Sequence, residues 1–290
     1  MVENVNVIEV RGLCKKFGQV NVLRGLDMTV EQGQVYGFLG RNGAGKSTTL
    51  KILVGILTCG SGTVELFGQS MSGKKTDLRA RIGYVAQEQN FYGWMTPKDL
   101  GAFVRGFYPN WDDELYHKLL SSMDLPRDRK VETFSGGMLA KQGLAMALAH
   151  NPPLLVLDEP TAGLDPVARR EFLQMVLEQK QTRGTTILFS SHLVEEIERA
   201  ADTVGILEQG TMLYEGRLDA LSRQVGMLKV PEEASSPELG DAVEVLRKLP
   251  DGWVIRCQDA DSLAALQASP MTLEDIFVEL VTHRRIHASS

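Results

Sequence analysis

A glycine-rich segment, GRNGAGKST (40–48), has the spacing of a phosphate-binding loop, G-x-x-x-x-G-K-[ST]. It follows a short apolar run, QVYGFLG (34–40), and precedes KSTTLKILVGIL (46–57), whose apolar residues recur at helical spacing. Glycines at 43 and 45 let the backbone close around an anion that a Cβ atom would obstruct. The segment therefore predicts a strand, a phosphate site and a helix whose N-terminus faces the anion.

Two side chains at the end of this loop are expected to add a positive charge and a metal ligand to the phosphate-binding backbone. Lys46 is expected to reach the β- and γ-phosphates of a nucleotide, and the Ser47 hydroxyl is expected to bind Mg²⁺. The residues predicted to contact the nucleotide here are Gly40, Arg41, Asn42, Gly43, Ala44, Gly45, Lys46, Ser47 and Thr48. A strand-to-helix turn without a ligand is the alternative, which the Lys-Ser pair in register disfavours.

Two acidic residues end a second apolar run, LLVLDEP (154–160). Ligands of open α/β sheets gather at the carboxyl ends of the strands, so Asp158 is expected to hold Mg²⁺ through its water shell. Glu159 follows by one residue and is a candidate to polarise an attacking water. An acid that only caps the next helix is the alternative, and the phosphate loop elsewhere in the chain favours the metal and hydrolysis roles.

Three small residues in FSGGM (134–138) precede a helix-like segment, LAKQGLAMALAH (139–150). Ser-Gly-Gly at the start of a helix forms either a simple turn or a second anion site, because free backbone N–H groups point outwards there. The residue pattern alone leaves both interpretations open.

Composition narrows the class of protein. The chain has 290 residues, a formal net charge of −6 and a pI of about 5.5, which gives no support to binding of a nucleic-acid backbone. Its three cysteines show no metal or redox spacing and suggest reduced thiols in a cytosolic protein. The N-terminus does not resemble a signal peptide, and no stretch of about 18 apolar residues is present to span a membrane.

Strand-like and helix-like segments alternate along much of the chain, which predicts an α/β fold with a parallel core sheet. Strands at 6–13 and 26–31, and others around 63–86, favour an antiparallel addition to that core. Residues from about 96 to 150 are mostly helical in pattern. A polar segment at 230–240 predicts a linker or surface loop, after which a small appendage follows.

Taken together, these motifs resemble those of the ATP-binding subunit of an ABC transporter over roughly residues 5–220. Further segments match that family in order, and the residues concerned are Phe17 in KKFG, Gln87 in GYVAQ, Ser135, Gly136 and Gly137 in FSGGM, Asp165 in GLDP and His192 in SSH. Met138 and Phe134 replace the usual Gln and Leu of the signature loop. Since the phosphate chemistry needs Ser135 and the backbone, we expect Met138 to be tolerated.

The resemblance implies a P-loop NTPase fold with a parallel core sheet, an antiparallel β subdomain, a helical signature subdomain (about 96–150) and a small C-terminal α+β appendage. The nucleotide-binding domain would cover 1–222, and the linker with the appendage 223–290. ATP and Mg²⁺ are the implied cofactors, with Ser47, Asp158 and Gln87 around the metal. Phe17 would stack on adenine, Asp165 would lie by the nucleotide, and Lys46, Glu159 and His192 would carry out hydrolysis.

The resemblance also implies partners. The signature loop would cap the ATP that a second ATPase subunit holds, either another copy or a paralogue, in a head-to-tail dimer. A separate membrane-spanning permease would bind the dimer at the cytoplasmic face of the membrane. The segment PMTLEDIFVELV (270–281) resembles the exporter (ABC-2-type) branch. A soluble ABC ATPase acting on DNA or ribosomes is the alternative, and a catalytically inactive subunit is disfavoured because the motif residues are present.

Two interpretations remain open for an aromatic segment, and the other histidines are expected to have no role in the site. The aromatic segment NFYGWM (90–95) is either local core or a surface that receives a membrane partner. The segment HRRIH (283–287) is expected to be a solvated tail. The histidines other than His192 are expected to have no functional role, and these are His117, His150, His283 and His287.

Overall fold

The computed structural model describes residues 5–73, 75–230, 242–250, 252–258, 263 and 265–288. The strands of the body are β1 (Asn6–Phe17), β2 (Val20–Glu31), β3 (Val35–Gly40), β4 (Ser61–Leu66), β5 (Gln69–Ser70), β6 (Ile82–Val85), β7 (Leu154–Asp158), β8 (Thr186–Ser191), β9 (Thr203–Glu208) and β10 (Thr211–Arg217). The helices are α1 (Lys46–Leu53), α2 (Thr76–Arg79), α3 (Pro97–Val104), α4 (Asp113–Ser122), α5 (Gly136–Leu148), α6 (Pro166–Arg183), α7 (Val194–Ala200), α8 (Leu218–Gln224) and α9 (Leu273–Ala288).

A mixed sheet forms the centre of the described chain, with strand order β10-β9-β3-β8-β7-β6. All neighbouring strands pair in parallel except β10, which returns antiparallel to β9. β3, β7, β8 and β9 are buried along their whole length, as expected for near-continuous apolar strands covered on both faces. The predicted α/β fold with a parallel core sheet is confirmed.

Alternate residues of these strands enter two separate buried clusters, because successive side chains of a strand point to opposite faces. Val35 and Leu39 pack with the side of the sheet that carries α5, α6 and α7. Tyr36 and Phe38 pack with α1 and the antiparallel sheet. The central sheet is therefore fixed from both sides, and its carboxyl edge has a rigid support.

The antiparallel addition is a four-stranded sheet with the order β2-β1-β4-β5. The prediction that the strand near residues 81–86 also belongs to this addition is wrong. β6 pairs in parallel with β7, from Ile82 opposite Leu154 to Val85 opposite Leu157, and forms the edge of the central sheet. Ile82 and Val85 are buried in opposite clusters, so β6 needs cover on both faces that the smaller sheet does not offer.

Short helices follow between residues 96 and 150, as the sequence predicts. α3 begins at a reciprocal capping box in which Thr96 and Asp99 bond each other's backbone N–H groups. α4 begins with Asp112, whose carboxylate accepts from the N–H of Leu115. Buried Tyr116 donates its hydroxyl to the carbonyl of Pro97 and accepts from Gln142, which ties the three main helices α3, α4 and α5 together.

The C-terminal part contains a small sheet with the order β12-β13-β11-β14, followed by α9. Its strands are β11 (Val225–Leu228), β12 (Val243–Leu249), β13 (Gly252–Cys257) and β14 (Ser269–Pro270). Leu246 and Ile276 belong to the same buried cluster as Ile197 of α7, so this part packs directly on the body. Apart from Val230, the predicted linker lies outside the described residues, and the division at residue 222 stays a prediction.

The expectation that residues 283–287 form a solvated tail is wrong for His283 and Arg285, whose side chains bind other parts of the chain, whereas Arg284 and Ile286 are exposed. His283 bonds the carbonyl of Leu246 through Nδ1 at 2.9 Å. Arg285 donates from Nε (2.9 Å) and a terminal nitrogen (2.7 Å) to Glu208 Oε1. Glu208 lies at the end of β9 and is 2% exposed, so its charge requires a partner. The last turns of α9 supply that partner.

Within the described residues, no helix has both the length and the apolar character needed to cross a membrane.

The ion pair between α9 and β9 leads to a stability prediction. Replacing Arg285 by Ala leaves the buried Glu208 carboxylate without this donor, so we expect a loss of roughly 1–3 kcal/mol in the free energy of unfolding. The matched control is Arg284→Ala, since Arg284 is exposed and makes no ion pair with the described residues. Thermal or urea unfolding of both variants provides the measurement. Equal stability of the two variants would show that the pair contributes nothing.

Candidate functional site

The phosphate loop connects β3 to α1 and forms a cradle of backbone groups. Gly43 has φ 82° and Gly45 has φ 114°, in the left-handed region that favours glycine. A Cβ at Gly45 would lie 2.8 Å from Leu23 Cδ2, so the loop also needs glycine for space. Residues 41–48 line a cavity of about 340 Å³ together with Val22, Gln87 and Glu159. The loop thus joins a strand to a helix as its sequence predicts, and contact of Gln87 with nucleotide and metal stays a prediction.

Lys46 is held at the centre of this cradle. Its side chain is almost fully buried, and Nζ donates to the carbonyls of Gly40 (2.6 Å) and Arg41 (3.2 Å). The ammonium also lies 3.0 Å from Glu159 Oε1. A buried positive charge is therefore fixed beside the glycine-rich backbone, where it attracts an anion.

Asp158 joins the phosphate loop to the neighbouring strands. Its Oδ1 accepts from Ser47 Oγ at 2.8 Å and from Ser190 Oγ at 3.1 Å. Its Oδ2 is buried and has no hydrogen-bond partner among the described residues. Burial raises the pKa of Asp158, and the two serine hydroxyls act in the opposite direction. The carboxylate thus has one satisfied oxygen and one buried oxygen able to accept a further ligand.

Glu159 lies between two cationic or potentially cationic side chains. Its Oε1 contacts Lys46, and its Oε2 lies 3.0 Å from Nδ1 of His192. The backbone N–H of Glu159 donates to Ser190 Oγ at 2.9 Å. Glu159 has φ 43°, a strained value for a residue with a side chain, and such values concentrate at functional sites. The chain turns sharply after β7 and presents this carboxylate to the cavity.

Other predicted residues lie away from this cavity. Phe17 is 45% exposed at the turn between β1 and β2, with Lys15 Nζ 5.0 Å from its ring. Asp165 caps α6 by accepting from the N–H groups of Val167 and Ala168, and these bonds lower the pKa of Asp165. Contact of Phe17 and Asp165 with nucleotide stays a prediction.

The Ser-Gly-Gly segment forms the start of α5. Ser135 is the N-cap and its Oγ accepts from the N–H of Met138 at 3.3 Å. Ser135 and Gly136 are exposed, and Gly137 faces α6, where a Cβ would lie 3.8 Å from Ala168 Cβ. None of these three described residues lines the phosphate cavity of the same chain. The segment therefore presents a helix N-terminus to the outside.

Sequence reasoning missed Ser190, which contacts both acidic residues of the site. Ser190 is fully buried near the end of β8, where it pairs with Asp158 across the sheet. Its hydroxyl donates to Asp158 and accepts from the N–H of Glu159. A signal was available, because TTILFSS (185–191) is an apolar strand that ends in two serines at the same edge of the sheet.

Comparison with known proteins agrees with this geometry. The family described as "ABC transporter" matches residues 23–162. The bacitracin transport ATP-binding protein BcrA of Bacillus licheniformis is 38% identical over 224 residues, covering 75% of this chain and 72% of that protein. The Nod factor export ATP-binding protein I of Burkholderia lata is 39% identical over 220 residues, covering 74% and 72% respectively.

Solved structures give the same result. The structure of an ATP-binding subunit of an ABC transporter is 30% identical to this chain, with a TM-score of 0.68, and the match covers 75% of this chain and 92% of that one. The chain therefore belongs to the ABC transporter ATP-binding proteins, and it is an ATPase subunit that powers a membrane transporter.

Proposed function

We propose that this chain works as a pair with a second ATPase subunit, uses Mg²⁺-ATP, and drives an export permease from the cytoplasmic face of the membrane. The observation that carries the hydrolytic part is one constellation: Lys46, Glu159 and His192 meet beside the phosphate loop within hydrogen-bond distances. Asp158 joins it through Ser47.

The donors present fit a magnesium ion. Mg²⁺ prefers oxygen ligands and binds through one or two carboxylates plus substrate phosphates and water. Ser47 Oγ and Asp158 supply such oxygens, and the buried Asp158 Oδ2 lacks another partner in the described chain. No group of three or more His, Cys, Asp or Glu side chains able to hold a metal occurs among the described residues. Nucleotide phosphates and water would therefore complete the shell, with Gln87 at its edge.

Glu159 is the group best placed to orient or deprotonate water. A general base must lie within hydrogen-bond reach of the water it activates, and Glu159 lines the phosphate cavity. His192 bonds the second oxygen of the carboxylate and so fixes its direction. Lys46 neutralises charge that develops on the transferred phosphoryl group. The two oxygens of the Glu159 carboxylate thus have different contacts, Oε1 with Lys46 and Oε2 with His192.

The position of the signature segment supports a dimer. Ser135 and Gly136 are exposed at a helix N-terminus, which suits an anion, and they do not line the cavity of their own chain. A second subunit placed head-to-tail would bring this N-terminus to the phosphates held by the first. ATP would then bind at the seam and favour the closed pair, since it contacts both subunits only in that state.

An exposed aromatic patch supports docking of a permease. Tyr92, Trp94, Phe103 and Phe107 are between 47% and 66% exposed, and their rings contact one another in series. Clustered exposed aromatic side chains mark interaction surfaces. The interpretation of Tyr92 and Trp94 as local core is wrong, whereas their neighbours Phe91 and Met95 do pack against the core.

Two relatives support export as the direction of transport. The names of two similar proteins state bacitracin transport and Nod factor export. The C-terminal segment 270–281, whose sequence resembles the exporter branch, forms most of the helix that packs on the ATPase body. Export by a permease encoded separately is thus favoured over action on DNA or ribosomes.

Loss of the Glu159 carboxylate tests the hydrolytic role. Glu159→Gln should lower the ATPase rate by roughly 10²–10⁴-fold, as expected for a general base, while ATP affinity is retained. The matched control is Glu198→Gln, because Glu198 is exposed on α7. Steady-state phosphate release and nucleotide-binding titration give the two quantities. Hydrolysis by Glu159→Gln at near wild-type rate would remove Glu159 from the mechanism.

Substitution of the N-cap tests the dimer. In the Glu159→Gln background, ATP should produce a species of twice the monomer mass in size-exclusion chromatography. Adding Ser135→Arg should abolish that species, since bulk and charge would occupy the seam, whereas Met138→Gln should leave it. Ser121→Arg on α4 controls for an added surface charge. Normal dimerisation of the Ser135→Arg variant would mean that the segment faces no neighbouring nucleotide.

Truncation of two aromatic side chains tests the docking patch. Tyr92→Ala combined with Trp94→Ala should weaken co-purification with the membrane subunit from detergent-solubilised membranes. Basal ATPase activity and melting temperature should change little, because both rings are exposed. Tyr116→Ala provides the contrast, since truncating a buried aromatic ring costs roughly 3–5 kcal/mol. Undiminished co-purification of the double variant would place the permease elsewhere.

A further inference from the structure

A further buried carboxylate, Glu196, lies close to the segments that carry the catalytic residues. It is on α7 and is 4% exposed, although the neighbouring Glu195 and Glu198 on the same helix are exposed. Its Oε1 accepts from Thr161 Oγ1 at 2.6 Å, and its Oε2 accepts from Ser191 Oγ at 2.5 Å. Nε of Arg169 lies 3.3 Å from Oε1. One carboxylate thus joins three segments of the chain.

Two of these segments lead directly to a residue of the site. Thr161 is two residues after Glu159, in a turn closed by the bond from the N–H of Ala162 to the carbonyl of Glu159. Ser191 immediately precedes His192, and its hydroxyl also accepts from the N–H of Leu193. The two bonds to Glu196 therefore hold the segments at both ends of the Glu159–His192 contact.

The third segment is α6, which carries Arg169 and follows a loop that contains Leu164. Arg169 donates to the carbonyl of Leu164 at 3.3 Å while its Nε faces Glu196. This loop leads from the turn after Glu159 to Asp165. Glu196 is thereby linked to the whole connection between β7 and α6.

The chemical type of this residue argues against simple packing. Burial of a charged carboxylate is unfavourable unless hydrogen bonds and an opposite charge offset it, and an apolar side chain fills space at lower cost. In return, a carboxylate with two oxygens can accept from two separate segments in fixed directions, here the turn after β7 and the end of β8. The strained backbone of Glu159, with φ 43°, requires such support from its surroundings.

We propose that Glu196 is a positioning residue for ATP hydrolysis, which holds the turn after Glu159 and the backbone before His192 in register. This role rests on the proposed function of Glu159. Glu196 does not touch the phosphate cavity, so it acts on the orientation of the Glu159 carboxylate and leaves ATP binding to the loop and Lys46.

The test compares Glu196→Gln, Glu159→Gln and the double variant. The amide keeps the shape of Glu196 but loses one acceptor and the charge. We expect kcat of Glu196→Gln to fall roughly 10- to 100-fold, since misplacement by about 1 Å costs on the order of 10²-fold. The dissociation constant for ATP should stay within about twofold of wild type, because the groups that bind phosphate are unchanged. Glu195→Gln, on the same helix, should match wild type in both.

The double variant separates positioning from a general loss of structure. If Glu196 acts through Glu159, adding Glu196→Gln to Glu159→Gln should produce no further fall in rate. A fall that multiplies would show an independent effect and overturn the proposal. If Glu196→Gln keeps the wild-type kcat while Glu159→Gln is inactive, the positioning role of Glu196 is wrong and the role of Glu159 stands. Near wild-type hydrolysis by Glu159→Gln would overturn the role of Glu159, and that of Glu196 with it.

A milder variant keeps the test valid if Glu196→Gln folds poorly. Thr161→Val removes one donor to Glu196 while preserving the side-chain shape. It should lower kcat in the same direction and leave ATP affinity unchanged. Unchanged kcat in a folded Thr161→Val protein would contradict the proposal.

Discussion

The carboxyl edge shared by β3, β8 and β7 determines where every reactive group lies. These strands are direct neighbours, and their register places Phe38 opposite Ser190 and Ser190 opposite Asp158. Because the strands are parallel, the segments that leave them start from one row of the sheet. The phosphate loop, the acidic pair and the segment carrying His192 are therefore brought together by backbone pairing. Side-chain hydrogen bonds then adjust positions that the sheet has already set.

The site concentrates features that are unfavourable for stability. Lys46, Asp158 and Glu159 are all buried, and Glu159 also has a strained backbone. Since burial raises the folded-state pKa of Asp158 above its ordinary value, ionising that carboxylate weakens the fold as the pH rises. The completely buried strands beneath the site, packed from both faces, compensate for these costs. Such an exchange of stability for preorganised charge is common at catalytic sites.

Local sequence pattern was sufficient for the phosphate loop and for the strand LLVLD, because glycine spacing and apolar runs act over short distances. The local pattern assigned β6 to the wrong sheet. The strand is short and resembles an antiparallel strand in sequence, and its partner strand β7, which begins at Leu154, lies far along the chain. The sequence pattern also did not show that Glu196 is buried while Glu195 and Glu198 are exposed. Three acidic residues on one helix look alike in sequence, and only tertiary packing decides which of them is buried.

The pair between Glu208 and Arg285 also constrains when the protein can become native. Glu208 belongs to β9, which lies beside β3 in the central sheet, but its cationic partner comes 77 positions later. During synthesis the N-terminal parts of a chain fold first, at a pace set by elongation. The central sheet can therefore form while the buried carboxylate still lacks Arg285. The pair forms only after Arg285 has left the ribosome, so a ribosome stalled before that point would hold a sheet with an unneutralised charge.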